Sequence, residues 1–133
     1  MLIADPDAEL RRRVAKLVRE LADDAGLDVA LDQASDGTMA LAAIADHRPR
    51  LLVSEVLLPG LNGLRLLRRI RADHGKATAV VFVTTMNRDT DRYWALRNGA
   101  HAYVTKPFED EQLRQRIRPL LLEGGDARPE RML

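Results

Sequence analysis

The chain has 133 residues, of which 46% are hydrophobic and 31% charged, and its 21 basic and 20 acidic side chains leave a formal net charge of +1. This length suits one compact core and excludes two ordinary domains, while the near-neutral charge gives no global reason to expect nucleic acid or a membrane as partner. The absence of cysteine excludes disulfides and thiolate chemistry. With neither a signal peptide nor an apolar run of about 18 residues, the sequence predicts a soluble, cytoplasmic protein.

Short apolar runs alternate with segments of helical periodicity, which is typical of a parallel sheet covered by helices on both faces. The pattern predicts five strands, at residues 2–4, 29–33, 51–54, 79–83 and 102–105. Helices with their caps are expected at residues 7–26, 36–47, 62–74, 89–98 and from about 109 onward. The sequence therefore predicts an α/β domain built on a doubly wound, five-stranded parallel sheet.

The end of the chain departs from this regular pattern. Pro119 falls inside the last predicted helix and is expected to bend or shorten it, because proline lacks an amide hydrogen and clashes with the preceding turn. The segment that follows is small, polar and punctuated by Gly and Pro. We therefore expect a domain at residues 1–122 and a flexible tail, or the start of a linker, at residues 123–133.

Polar side chains follow four of the predicted strands. Asp5 follows the first strand and Glu55 the third, whereas Thr84 and Lys106 follow the fourth and fifth. In a doubly wound sheet, ligands bind beyond the carboxyl ends of the strands. These four side chains are therefore expected to converge on one site at that edge of the sheet.

The order of these residues, with Pro59-Gly60 after the second acid, resembles the receiver domain of bacterial response regulators. The resemblance covers roughly residues 1–122 and implies a flavodoxin-like, CheY-like sheet with strand order 2-1-3-4-5. It also implies a site where magnesium and a phosphoryl group meet, built from two adjacent acids, an acceptor aspartate, a hydroxyl and a lysine. Thr84 and Lys106 match the last two and, with Tyr103 at the aromatic position, are the expected switch residues.

Two positions of this acidic pocket are degenerate, because Asp5 is followed by Pro6 and Glu55 stands at the acceptor position. Magnesium requires near-octahedral oxygen coordination, so magnesium binding is expected to be weak or absent, with no other cofactor. Glutamate reaches roughly 1.5 Å further than aspartate, and a misplacement of about 1 Å can cost on the order of a hundredfold in rate. No catalytic residue and no enzymatic activity are therefore expected, since Ser-His-Asp and P-loop patterns are also missing.

These departures predict a pseudo-receiver, a phosphorylation-independent interaction module in bacterial signal transduction that Glu55 holds in one state. Its expected partners are a histidine kinase or a downstream effector, with a homodimer also open. Alternatives remain: Glu55 and Lys106 form a relic ion pair without influence on the state, or the domain is a weakly phosphorylatable receiver of a two-component phosphorelay. A further alternative is a sensor of a small anionic ligand such as a cyclic dinucleotide, bound by arginine-rich helices around residues 11–19 and 65–71.

The fourth predicted helix carries a second resemblance. Residues 90–94 and 97–100 resemble the corresponding helix of receivers from twitching-motility, type IV pilus systems. The resemblance to receivers places the partner-binding surface on the fourth helix, fifth strand and fifth helix, at Tyr93, Trp94, Arg97 and Tyr103. Two points stay open from sequence alone: whether Trp94 packs on the sheet or is exposed, and whether Tyr103 points inward or toward a partner.

Overall fold

Five parallel strands form one sheet in the computed structural model, which describes residues 1–132. The strands are β1 (Leu2–Ala4), β2 (Asp32–Ala34), β3 (Leu51–Ser54), β4 (Ala79–Thr84) and β5 (Ala102–Thr105). The helices are α1 (Ala8–Asp24), α2 (Gly37–His47), α3 (Gly63–His74), α4 (Asp89–Arg97) and α5 (Asp110–Glu123), followed by a short 3-10 helix (Gly124–Asp126). The strand order is β2-β1-β3-β4-β5, which confirms the predicted fold.

The helices cover both faces of the sheet and form two apolar layers. One layer packs α1 and α5 against side chains such as Ile3 and Val81, and the other packs α2, α3 and α4 against side chains such as Leu52 and Phe82. Every residue of β4 is buried, as expected of a parallel strand covered on both sides. None of the helices within residues 1–132 is long and apolar enough to cross a membrane.

The helix starts follow the capping residues that the sequence contains. Asp7 accepts a hydrogen bond from the amide of Glu9 at the start of α1, and Asn62 accepts one from the amide of Arg65 at the start of α3. Asp36 caps α2 in the same way. These side chains satisfy amides that have no partner inside the helix, so the caps define where each helix begins.

Strand β2 begins at Asp32, three residues later than the pattern predicts. The pairing register explains the difference, because Asp32 lies opposite Leu2, the first residue of β1. Residues 29–31 precede the start of β1, and there the amino group of Met1 donates a hydrogen bond to the carbonyl of Ala30. The length of β1 therefore sets the start of β2.

Helix α5 continues through Pro119 to Glu123, so the helix is not shortened at the proline. Shortening was one of the two effects expected of Pro119. Pro119 is exposed, whereas Ile117 and Leu120 are buried against the sheet and hold the helix in place. Beyond α5 the chain forms the 3-10 helix and then lies against the free edge of β5. Leu133 lies outside the described residues, and the expected boundary at residue 122 stays a prediction.

Candidate functional site

The structure brings Asp5, Glu55, Thr84 and Lys106 together at the carboxyl edge of the sheet. The Nζ atom of Lys106 lies 2.8 Å from Oδ2 of Asp5 and 2.8 Å from Oε2 of Glu55. The hydroxyl of Thr84 donates a short hydrogen bond to Oε1 of Glu55. The register that places Ala4, Ser54 and Phe82 side by side across β1, β3 and β4 accounts for this convergence.

The two carboxylates of this site are buried, and the lysine between them is partly buried. Asp5 and Glu55 are each 4% exposed, and the side chain of Lys106 is 20% exposed. Burial lowers the pKa of Lys106, but hydrogen bonds and charges from Asp5 and Glu55 outweigh it, so the net effect is a raised pKa. The lysine therefore stays charged and neutralises one of two neighbouring carboxylates.

The carboxylate of Glu55 is fully engaged by this chain. Besides Thr84 and Lys106, it accepts a hydrogen bond of 3.0 Å from the amide of Leu57. The loop after Glu55 folds closely on itself, because the amide of Gly63 donates to the carbonyl of Val56 at 2.7 Å. A Cβ atom at Gly63 would lie 2.8 Å from the Glu55 carbonyl, so only glycine fits where α3 approaches the site.

The side chains present do not fit the magnesium ion that a receiver site would hold. Oδ1 of Asp5 accepts a hydrogen bond from the amide of Asp7, and Asp7 itself caps α1. Pro6 is exposed and offers no side-chain oxygen. Within residues 1–132, no group of three or more acidic or histidine side chains could hold a metal ion. An ion with near-octahedral oxygen coordination would have to displace Lys106 from both carboxylates.

A continuous run of hydrogen bonds leads from Glu55 to Tyr103. The Thr84 hydroxyl that donates to Glu55 accepts from the amide of Met86 at 3.1 Å. The hydroxyl of Tyr103 in turn donates to the carbonyl of Met86 at 2.7 Å. Tyr103 is 6% exposed and packs edge-on against Phe82, so its ring points inward. Burial, with smaller contributions from Asp91 and Glu55, raises the pKa of Tyr103 above its usual value.

Helix α4 exposes the other residues of the expected partner surface. Trp94 is 53% exposed and Tyr93 is 36% exposed, and their rings meet edge to face at 5.4 Å. Arg97 is also exposed, whereas Ala95 and Leu96 face the sheet. Trp94 is therefore a surface residue, and Tyr103 does not belong to the exposed part of this surface.

The arginine-rich helices divide into structural and exposed residues. Arg11 donates to the carbonyl of Asp5 at 2.6 Å, and Arg13 lies 4.1 Å above the ring of Phe108. Arg71 donates to the carbonyl of Thr78, which follows the end of α3, and to the carbonyl of Gly99, in the turn between α4 and β5. The rest of the two clusters is exposed, namely Arg12, Lys16, Arg19, Arg65, Arg68 and Arg69.

Three residues that the sequence did not single out form a second charged cluster beside β5. The carboxylate of Glu130 lies 2.7 Å from Arg92 and 3.4 Å from Arg116. No sequence signal identifies this cluster, because Glu130 is 38 residues from Arg92 and follows a segment without periodicity. The sequence also offers no reason to include Met86 in the site, because Met86 contacts Thr84 and Tyr103 through its backbone amide and carbonyl.

Known proteins share both the sequence pattern and the fold. The DNA-binding response regulator MtrA of Mycobacterium tuberculosis (strain H37Rv) is 35% identical over 133 residues, which are 100% of this chain and 54% of MtrA. The transcriptional regulatory protein CpxR of Klebsiella pneumoniae is 37% identical over 121 residues, 91% of this chain and 48% of CpxR. The chain thus spans about half the length of the curated relatives it matches.

A solved structure and a family model agree with these relatives. The receiver domain of NtrX from Brucella abortus superposes with a TM-score of 0.71 at 32% identity, covering 84% of this chain and 89% of that one. The family model described as the response regulator receiver domain matches residues 1–118. The chain therefore belongs to the response regulator receiver domain family.

Proposed function

We propose that this domain is a pseudo-receiver, which binds other signalling proteins without being phosphorylated. One observation carries the proposal. The carboxylate of Glu55 contacts Thr84 and Lys106, the hydroxyl and the lysine that the receiver resemblance assigns to a phosphoryl group. Glu55 thus places a permanent negative charge where an ordinary receiver acquires one by phosphorylation.

Phosphorylation of Glu55 is disfavoured for two reasons. Phosphoryl transfer needs a carboxylate oxygen free to attack in line, whereas both oxygens of Glu55 are engaged by Thr84, Leu57 and Lys106. It also needs charge stabilisation that an ordinary receiver draws from magnesium, and Pro6 removes an oxygen donor from that position. We therefore propose no enzymatic activity for this domain.

The run of hydrogen bonds beyond Glu55 favours a defined state over a relic ion pair. A relic pair would need only Lys106, but Glu55 also fixes the hydroxyl of Thr84, which holds Met86 and through it the inward Tyr103. The position of Tyr103 shapes the surface between α4 and β5. Glu55 is thereby connected to the surface that we propose for partner binding.

The proposed partners are signalling proteins, either a histidine kinase or a downstream effector. Exposed aromatic residues and arginine supply most interface anchors, and α4 offers Tyr93, Trp94 and Arg97. Homodimerisation through this surface and a role in a type IV pilus system are further proposals at the same level. Since MtrA is a DNA-binding response regulator, we also propose that the natural protein couples this domain to a DNA-binding output.

Incubation with acetyl phosphate and magnesium, followed by intact-mass spectrometry, tests the proposal. The native chain and Glu55→Asp are expected to gain no phosphoryl group, because neither has a complete metal site. The matched control is Glu55→Asp combined with Pro6→Asp, which restores both acids and is expected to gain mass. Pro6 is exposed, so its replacement does not disturb the core. A phosphorylated native chain would contradict the pseudo-receiver and favour the weakly phosphorylatable receiver.

A further inference from the structure

The free edge of β5 is occupied by residues 127–132 of the same chain, here called the edge segment. β5 pairs with β4 on one side, which leaves backbone groups on its other side without a neighbouring strand. The amide of Glu130 donates to the carbonyl of His101 at 2.8 Å, and the amide of Tyr103 donates to a carboxylate oxygen of Glu130. One residue of the edge segment therefore satisfies two backbone groups at the edge of β5.

The carboxylate of Glu130 also lies between two arginines. Its Oε2 atom accepts a hydrogen bond of 2.7 Å from Arg92 on α4 and lies 3.4 Å from Arg116 on α5. The side chain of Glu130 is 6% exposed, so water contributes little to its solvation. We define the edge site as Arg92, Arg116, the carbonyl of His101 and the amide of Tyr103.

The edge site selects a particular ligand chemistry. The guanidinium of Arg92 contacts the edge segment at further points, because it also donates to the carbonyls of Arg131 and Met132. Arginine and a backbone amide directed at one point are a recognition site for a carboxylate. The carbonyl groups and the strand edge require in addition an extended backbone, as in the binding of peptides to sheet edges. The matching ligand is an extended peptide with a glutamate.

Few apolar side chains of the edge segment are buried, so its attachment depends mainly on polar contacts. Ala127 is 3% exposed and anchors the segment to the core, but Arg128 and Pro129 are exposed and Met132 is 44% exposed. A cavity of about 210 Å³ lies beside the contact of Arg116 with Glu130, between this segment and α5, and its lining includes Gln115 and Pro119. Release of residues 128–132 would break the Glu130 contacts without exposing a large apolar surface.

We propose that the edge site docks an extended, glutamate-containing segment of a partner protein, and that Glu130 of this chain occupies the site until the partner segment displaces it. The proposal names the partner chemistry for the interaction role proposed above and rests on that role, but not on the phosphorylation state of Glu55. Because Glu130 is tethered, its effective concentration is high, and the partner segment must compete with it. The edge segment thus sets a threshold for partner binding.

Peptide titration followed by the amide resonances of Tyr103 and Arg92 tests the proposal. The probe is a capped peptide with the sequence of residues 127–132, and the control peptide carries glutamine in place of its glutamate. The protein is the 133-residue chain with Glu130→Ala, which removes the competing carboxylate from between Arg92 and Arg116. We expect the glutamate peptide to bind this variant at least about tenfold more tightly than the control peptide, since a charged hydrogen-bonding group is lost in the latter.

The native chain and a matched variant complete the test. The native chain should bind the glutamate peptide at least about tenfold more weakly than Glu130→Ala, because its own Glu130 competes. Glu123→Ala removes an exposed acid at the end of α5 and should behave like the native chain. Equal binding of the two peptides to Glu130→Ala, or equal binding by the native chain and Glu130→Ala, would overturn the proposal. A dimer of the native chain that Glu130→Ala converts to a monomer would assign the site to a second copy and also overturn it.

Discussion

Asp5, Glu55, Thr84 and Lys106 form the strand-end site, in which Lys106 provides the positive charge. Asp5 and Glu55 both lie 2.8 Å from its ammonium group, and both are almost completely buried. Two buried carboxylates close together repel each other unless a cation lies between them. The lysine is therefore a structural requirement of the site, in addition to its place in the receiver pattern.

Lys106→Met is expected to lower the free energy of unfolding by about 3 kcal/mol, because removing one partner of a buried ion pair leaves uncompensated charge. Urea denaturation at neutral pH measures the change. Lys16→Met, at an exposed position of α1, is the matched control and should change stability little. A variant at Lys106 as stable as this control would contradict a structural requirement for the lysine.

Glu55→Gln separates the charge of Glu55 from its hydrogen bonds. Glutamine can still accept from Thr84 and Leu57, but it loses the ion pair with Lys106 while relieving repulsion from Asp5. We expect stability to change by only about 1 kcal/mol, since these two effects oppose each other and Lys106 keeps its ion pair with Asp5. Amide exchange at Thr84 and Tyr103 should nevertheless become faster.

Hydrogen exchange followed by NMR measures this effect residue by residue. Exchange at Ile3, in the core of β1, provides the internal reference and should follow the change in global stability. If Thr84 and Tyr103 exchange as in the native chain, the relic ion pair is the better description of Glu55.

At the scale of residues, the sequence allows the strand-end site to be predicted but not its surroundings. Asp5, Glu55, Thr84 and Lys106 each follow a recognisable strand, and parallel strands align their carboxyl ends. Their burial and shared hydrogen bonds depend on rotamers that no spacing determines. The contact of Glu130 with Arg92 depends on the path of a segment without periodicity, so it could not be predicted.

At the scale of elements, apolar periodicity and capping residues predict most helices and strands within a residue or two. The exceptions arise where tertiary structure overrides local preference. β2 starts where its neighbour β1 starts, and α5 tolerates Pro119 because the proline faces solvent. The residues of β2 do not themselves determine where β1 begins, and the residues around Pro119 do not themselves determine that the proline faces solvent.

His101 connects three elements at the start of β4 and makes their packing sensitive to acid. Its Nδ1 atom accepts from the amide of Val80 at 3.3 Å, and its Nε2 atom lies 3.2 Å from the carbonyl of Gly125 in the 3-10 helix. Burial lowers the pKa of His101 below its usual value of 6.5, and the nearby positive charges of Arg71 and Lys76 act in the same direction. Hydrogen bonding to Gly125 opposes this only in part.

Acid is therefore expected to favour the unfolded chain through His101. The unfolded chain takes up the proton near pH 6.5, whereas the folded protein does so only at lower pH, so stability is lost as the pH falls below 6.5. Urea denaturation at pH 7.5 and 5.5, values chosen about one unit on either side of the usual histidine pKa, measures the loss. His101→Asn, which keeps an acceptor for Val80, should show a smaller loss than the native chain.

His47→Asn is the matched control for this prediction, because His47 is exposed at the end of α2. It should retain the full acid sensitivity of the native chain. An identical loss of stability in the native chain and in His101→Asn would place the acid-sensitive group elsewhere.

At the scale of the whole molecule, hydrogen bonds join the strand-end site to the edge of β5. They pass from Glu55 to Thr84, Met86 and Tyr103, and the amide of Tyr103 then contacts Glu130. Tyr103 takes part in both contacts, because its hydroxyl donates to the carbonyl of Met86 while its backbone amide donates to Glu130.

We propose that Glu55 sets the state of this receiver domain without a metal ion or a phosphoryl group. Two-dimensional amide NMR of the native chain, recorded before and after addition of magnesium and acetyl phosphate, provides the decisive test. We expect the resonances of Thr84, Met86 and Tyr103 to keep their positions in the native chain, whereas all three should shift in Glu55→Asp with Pro6→Asp. A saturable shift of these resonances in the native chain would rule out this role of Glu55, because it would show a site still able to bind and respond.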